Sequence, residues 1–261
     1  MTQPPTAPVK IAIAGALGRM GRAIAAVAEG RDDVVVVARY ERPGVESEGL
    51  VTLDEALVLA DVVIDFTVPE ASVALAEKAA GRGGVALVIG STGLSQDQTR
   101  RIDEAATRIA IVRSGNFSLG VNLLMGLARQ AAAALDPRDF DIEIFEAHHR
   151  RKVDSPSGTA LMLGQAAAEG RGVVLDDVLQ PARHGLNGPR PDGEIGFSVM
   201  RGGGIVGEHS VTFAGEEEIL TLSHSARDRS LFARGALVAA KWAAGKKAGA
   251  FDMQDVLGMR G

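Results

Sequence analysis

The sequence predicts an α/β chain in two parts, a parallel sheet first and a mainly antiparallel sheet after it. Three observations carry that reading. Up to residue 113, short apolar runs rich in β-branched residues alternate with Ala-rich, helix-compatible stretches, which is how βαβ units read. A glycine-rich turn, Gly15-Ala16-Leu17-Gly18-Arg19-Met20-Gly21, joins the first run to the first helical stretch. After residue 194, three further runs follow one another with short connections, the pattern of an antiparallel sheet.

The elements follow in order. Residues 9–14 (VKIAIA) form an apolar run ending at Gly15, as a buried parallel strand does. The glycine turn and a helix over 22–29 come next. Strand, glycine turn and helix is the context of a dinucleotide-binding turn, so the first part is read as a Rossmann-like sheet. The spacing is GxxGxxG, with Leu17 where the commoner motif has its second glycine. Glycine turns before helices also arise for steric reasons alone.

Residues 34–40 (VVVVARY) make a second strand, with Glu41 and Arg42 at its end. An acid there suits a ribose hydroxyl and a base suits a 2′-phosphate, so both NADH and NADPH fit. An exposed ion pair is the plainer reading. Strands at 61–66, 85–89 and 109–113 alternate with helices at 70–82, begun by Pro69, and 95–106. Several strands end in small polar residues: Phe66-Thr67, then Gly90-Ser91-Thr92, then Ser114-Gly115-Asn116-Phe117. Open α/β sheets bind ligands along that carboxyl edge.

A helix over 121–134 leads to a strand over 141–147 and a helix over 156–169. Residues 170–193 are rich in Gly and Pro and read as a long loop. Strands at 195–200, 205–213 and 219–225 complete the second part. An amphipathic helix over 230–246 returns to the first part. Domains are therefore expected at 1–120, joined by 229–261, and at 121–228.

The whole-chain numbers limit the function. With 261 residues, 46% hydrophobic and 23% charged, the chain is an ordinary globular one. A net charge of −5 disfavours broad nucleic-acid binding. No apolar run approaches the ~20 residues of a membrane span, and the opening MTQPPTAPVK reads as a loose tail without a signal-peptide core. With no cysteine there is neither a disulfide framework nor a thiolate metal site.

On this acidic chain, residues 146–159 (EAHHRRKVDSPSGT) stand out. His148, His149, Arg150, Arg151 and Lys152 place five potential donors in five positions between a strand and a helix. Histidine suits proton exchange near neutrality, and Lys152 can protonate a carbanion or hold a carboxylate. Ser155 is read as the helix cap with Pro156 in the first turn. The amides at Gly158 and Thr159 then make an anion site. Successive strand residues face opposite ways, so the backbone must break near His148 for both histidines to reach one ligand. The plain alternative is a solvated basic loop with an ordinary cap. Adjacent histidines chelate poorly, so no metal is expected. His184, His209 and His224 carry no motif and read as structural or surface residues.

These residues resemble the dihydrodipicolinate reductase (4-hydroxy-tetrahydrodipicolinate reductase) family of bacterial lysine and diaminopimelate synthesis. The matching segments are IAGALGRMGR (13–22), DFTVPE (65–70), GSTG (90–93), NFSLGVN (116–122), EAHHRRKVDSPSGTA (146–160), IVGEH (205–209) and FDMQDVL (251–257). The resemblance implies a cytoplasmic NADH- or NADPH-dependent reductase of a small dicarboxylate, assembled as a homotetramer through the sheet of the second domain. It implies His148 and Lys152 as proton donors, and His149, Gly158 and Thr159 as carboxylate ligands. The cofactor would lie on Gly15, Ala16, Leu17, Gly18, Arg19, Met20, Glu41, Arg42, Gly90, Ser91, Thr92, Ser114, Gly115, Asn116 and Phe117, with Phe232 closing over the nicotinamide. Ser91 stands where the family often has Thr, and Ser114-Gly115 where it often has Ala-Ala. Neither change removes a charge or a required donor. Two other readings are a reductase of a different dicarboxylate and a non-enzymatic nucleotide sensor.

Overall fold

A computed structural model describes residues 7–260; most of the expected N-terminal tail lies outside the described residues. The described residues divide into two compact units, one formed by those up to Leu119 together with those from Ser230 on, the other by Gly120–Arg229.

In the first unit the chain runs β1 (Val9–Ala14), α1 (Arg19–Ala28), β2 (Val34–Tyr40), α2 (Leu53–Leu59), β3 (Val62–Asp65), α3 (Pro69–Arg82), β4 (Ala86–Ile89), α4 (Gln96–Ala106) and β5 (Ala110–Arg113). Successive residues of these short strands point to opposite faces, and both faces are covered. Ile11, Ile13, Ile64, Val88 and Val112 belong to one core; Ala12, Ala14, Val63, Leu87 and Ile111 belong to the other. A strand buried on both sides needs no polar alternation, which is why these strands stood out in the sequence as continuous apolar runs. All pairings are parallel, and β1 lies between β2 and β3. The order therefore reverses beside β1, where open α/β sheets bind ligands.

Helix α2 has no counterpart in the sequence reading. Its seven residues are too few for a clear period, but it is closed by a capping box of Thr52 and Glu55, a signal that was there to be used.

The second unit contains most of α5 (Leu119–Ala134), then β6 (Asp141–His148), α6 (Gly158–Arg171), α7 (Leu175–Val178), β7 (Leu179–Gln180), β8 (Ile195–Arg201), β9 (Gly207–Ala214) and β10 (Ile219–Ala226). The expected loop at 170–193 thus holds a helical turn and a short edge strand. Its remainder is pinned by Arg190, which donates to Ile142 and Glu194 carbonyls at 3.1 and 2.7 Å.

The five strands run in the order β10-β9-β6-β8-β7. β9 pairs antiparallel with β6 and β10, while β8 pairs parallel with β6 and β7. The sheet is mixed because β6 enters between β8 and β9, which are neighbours only in sequence. One face packs Ile142, Ile144, Phe197, Val211 and Phe213 against Leu124 and Ala128 of α5 and Leu163 and Ala167 of α6. The other leaves Phe145, Met200 and Ile219 exposed at 41%, 49% and 67%.

The chain then returns to the first unit as α8 (Ser230–Ala243), β11 (Gly249–Phe251) and α9 (Met253–Val256). Strand β11 extends the parallel sheet beside β5. Among the described residues no helix is long and apolar enough to cross a membrane.

Candidate active site

In the first unit the predicted residues gather at the carboxyl ends of the strands. Gly15 has φ +60°, and a Cβ there would lie 2.7 Å from Thr67 Cγ2. Position 15 therefore excludes a side chain for both conformational and steric reasons. Helix α1 follows with Gly18 at its N-cap, no side-chain cap and no acid in its first turn. Its opening amides and the positive end of its dipole are left for an anion.

Glu41 reaches back to this turn, its Oε1 accepting from the Leu17 amide at 2.8 Å. A cavity of about 680 Å³ opens beside it, bordered by Gly15, Glu41, Arg42, Thr52, Asp65 and Val68. That volume lies in the range of small-molecule sites. Anion-seeking amides, an acid and a base at the cavity wall fit the pyrophosphate and adenosine half of a dinucleotide.

The floor of this edge is a buried hydrogen-bond network. Asp65, 1% exposed, accepts from the Thr67 amide at 2.8 Å, the Thr67 hydroxyl at 2.5 Å and the Ser72 hydroxyl at 2.5 Å. Ser72 lies 2.8 Å from the Ser91 hydroxyl. Ser91 thereby ties the end of β4 to α3, so its side chain is committed inside the protein. At the end of β5, Ser114 donates to the Asn116 carbonyl at 2.8 Å, and Asn116 Oδ1 accepts from the Ser118 amide at 2.8 Å. The Phe117 ring is buried against Phe66 at 5.1 Å between centroids, which leaves its backbone for any ligand contact. Phe232 lies half-buried in the first turn of α8.

In the second unit, β6 runs through His148, and the backbone breaks there. The Lys152 amide donates to the His149 carbonyl at 3.1 Å, closing a turn that begins one residue after the strand ends. His148 is buried, with Nδ1 2.5 Å from Glu146 Oε2. Two residues apart on one strand, they share a face.

Glu146 is fully buried and also accepts from both terminal nitrogens of Arg201 at 2.7 Å and from the Ser157 amide at 2.9 Å. Burial pushes its pKa up, but hydrogen bonds from Arg201, His148 and Ser157 outweigh that and hold it below the ordinary carboxylate value. His209 comes from β9 opposite Glu146. Its ring meets His148 edge-on at 5.0 Å, and its Nε2 lies 3.3 Å from the Ser157 hydroxyl. Burial first, then the neighbouring His148, lower its pKa to about 4.

His149 takes a different partner: Arg229 donates to its Nε2 at 3.4 Å, while its buried Nδ1 has no partner among the described residues. Desolvation, reinforced by Arg151 and Arg229, lowers its pKa. Lys152 Nζ lies 2.9 Å from Asp154 Oδ1. The Lys152 hydrogen bond holds Asp154 below the usual carboxylate range.

Helix α6 corrects the expected cap. Ser157, not Ser155, is the N-cap, its hydroxyl accepting from the Ala160 amide at 3.2 Å. Pro156 therefore precedes the helix. The Glu146 bond to the Ser157 amide fixes this start. Gly158 and Thr159 supply the first two helical amides, as the anion-site reading requires.

Comparisons with known proteins agree with this arrangement. The profiles for the N-terminus and the C-terminus of dihydrodipicolinate reductase match residues 9–117 and 120–257. The chain belongs to the dihydrodipicolinate reductase family. A Caulobacter vibrioides relative named 4-hydroxy-tetrahydrodipicolinate reductase is 70% identical over 253 residues, 97% of this chain and 98% of its own. One of the same name from Roseobacter denitrificans is 52% identical over 271 residues, 98% of this chain and 99% of its own. A dipicolinate-bound dihydrodipicolinate reductase from Paenisporosarcina sp. TG-14 matches with a TM-score of 0.79 at 23% identity, covering 95% of this chain and 98% of that one. At that identity the likeness speaks to the fold.

Three residues of the candidate site are not legible in the sequence. Glu146 opens the cationic stretch without a role of its own, Arg201 carries no motif, and His209 reads as a structural or surface residue although it closes the matching segment 205–209. Sequence spacing cannot find them, because only the register of β6 with β8 and β9 unites them. Of the other two histidines in that group, His184 is exposed and His224 half-buried.

Proposed function

We propose that this chain reduces 4-hydroxy-tetrahydrodipicolinate to tetrahydrodipicolinate with NADH or NADPH, in bacterial lysine and diaminopimelate synthesis. One observation carries the reading: the Lys152 ammonium already holds a carboxylate, that of Asp154 at 2.9 Å, in the turn that follows a histidine held on a buried glutamate. A dicarboxylate substrate offers the same group.

The reaction replaces a hydroxyl by hydrogen, so it consumes one hydride and one proton and releases water. In the first unit, the backbone of Gly15, Ala16, Leu17, Gly18, Arg19 and Met20 would hold the pyrophosphate. Glu41 would take ribose hydroxyls and Arg42 a 2′-phosphate. The backbone at Gly90, Ser91, Thr92, Ser114, Gly115, Asn116 and Phe117 would line the rest, with Phe232 against the nicotinamide. When bound, the reduced nicotinamide supplies the hydride. In the second unit, Lys152 and His148 donate or accept the proton. His149, through its unpartnered Nδ1, binds a substrate carboxylate together with the Gly158 and Thr159 amides. Such preorganised donors act where negative charge collects.

On the same reading the first unit is the dinucleotide domain, the second is the substrate and oligomerisation domain, and the enzyme is cytoplasmic. The exposed Phe145, Met200 and Ile219 face of the second sheet supports a homotetramer joined there.

The test is turnover with the product of the preceding synthase, followed by loss of reduced-nicotinamide absorbance with each cofactor. Oxidation dependent on that product is expected; cofactor binding without turnover would contradict the proposal. Sedimentation of wild type and Phe145→Glu tests the assembly, which the charge should break.

A further inference from the structure

The structure assigns Glu146 as the positioning residue for His148: it holds the imidazole as the Nδ1–H tautomer and leaves Nε2 to exchange the proton with substrate. This inference rests on the reading of His148 as a proton-exchanging group, and it adds how that group is made ready.

Three observations carry it. First, the Glu146 carboxylate is itself immobilised. Arg201 grips both of its oxygens at 2.7 Å, and Oε1 also accepts from the Ser157 amide. A fork-to-fork pair of this kind fixes direction as well as charge. Second, the remaining interaction of Oε2 is the 2.5 Å contact with His148 Nδ1. Because this carboxylate is held ionised, it accepts, so Nδ1 must carry the proton. The partner of one imidazole nitrogen sets the state of the other. Third, the far side of the ring is kept open by Gly207, where a Cβ would stand 3.2 Å from His148 Nε2. Any side chain at position 207 would crowd the atom that the tautomer leaves basic.

Glu146 therefore joins two parts of the site. It sets the histidine, and through the Ser157 amide it fixes the start of α6, whose first amides are the carboxylate ligands. Other charged or titratable groups around His148 are His209 from β9, His149 from the turn, and Arg201 from β8 through the shared carboxylate. Lys152 acts on both His149 and His209 in the same cluster. His209 is kept neutral by burial, which leaves Glu146 as the acceptor that defines the tautomer.

The experiment is ring-nitrogen NMR on histidine-labelled protein, with the His148 signal assigned by His148→Asn, beside steady-state kinetics. Wild type should show neutral His148 protonated at Nδ1. Glu146→Gln should shift the population toward Nε2–H and lower kcat on the order of 10–100-fold, the loss seen when the carboxylate that orients a metal-bound imidazole is removed. KM for the reduced nicotinamide should not change. Glu146→Asp, which keeps the charge, should restore part of kcat. If Glu146→Gln does not fold because Arg201 is left without its anion, Glu146→Gln/Arg201→Met removes both charges and carries the same readouts. An unchanged tautomer would overturn the inference. So would a changed tautomer with unchanged kcat, or a loss of activity that tracks only the folded fraction. If the protein turns over no such substrate, the proposed function fails, while the NMR still decides whether Glu146 sets the His148 tautomer.

Discussion

Asp65 and Glu146 are both buried carboxylates near the carboxyl end of a strand, at 1% and 0% exposure, yet their surroundings differ in kind. Asp65 is held by neutral donors, the amide and hydroxyl of Thr67 and the hydroxyl of Ser72. Glu146 is held by Arg201, His148 and the Ser157 amide. The first arrangement shapes a backbone edge, where a ligand would meet amides and glycines. The second sets the charge and direction of side chains. A fold can thus use the same costly group, a buried carboxylate, either to order a backbone edge or, on the proposed reading, to prepare a proton donor.

The strongest way to break this contrast is Lys152→Ala. General acid–base groups contribute roughly 10²–10⁴-fold, and kcat should fall by that order while the NADPH dissociation constant, measured by nucleotide fluorescence, stays as in wild type. A matching loss of NADPH binding would mean that side chains of the turn also build the cradle.

The next effect is on stability at acid pH. The folded-state pKa of His209 lies near 4, below its ordinary value of 6.5. The neutral ring is therefore favoured by folding. Its full contribution is present above pH 6.5 and is lost as pH falls from 6.5 toward 4, by about 3 kcal/mol. Glu146, also lowered, loses stability in the same sense but further down, as pH falls through its folded-state pKa. Urea midpoints across this range should decline more steeply in wild type than in His209→Asn; equal slopes would remove His209 from the charge-sensitive cluster.

A smaller change is expected from Ser72→Ala, which leaves Asp65 and Ser91 without their shared hydroxyl. Stability should fall by about 1–3 kcal/mol in chemical denaturation, with dicarboxylate affinity unchanged.

The contrast also explains what the sequence made legible. Strands β1 to β5 were readable to within about a residue at each end, because burial on both faces writes them as unbroken apolar runs. The glycine turn and the His148–Thr159 stretch were readable because their donors are contiguous. Helix α2 and strand β11 were too short to show a period. The insertion of β6 between β8 and β9 was hidden, since the runs after residue 194 look like successive hairpins. Glu146, Arg201 and His209 were hidden for the same reason: they meet through register, and nothing local in the chain records it.

The central claim is that the cradle belongs to one unit and the dicarboxylate grip to the other. Calorimetric titration of Gly15→Ala and Lys152→Ala with NADPH and with pyridine-2,6-dicarboxylate tests it most directly. Gly15→Ala forces a side chain into a left-handed position against Thr67; it should weaken NADPH and leave the dicarboxylate as in wild type. Lys152→Ala should do the reverse. Parallel loss of both ligands in either variant would contradict the division.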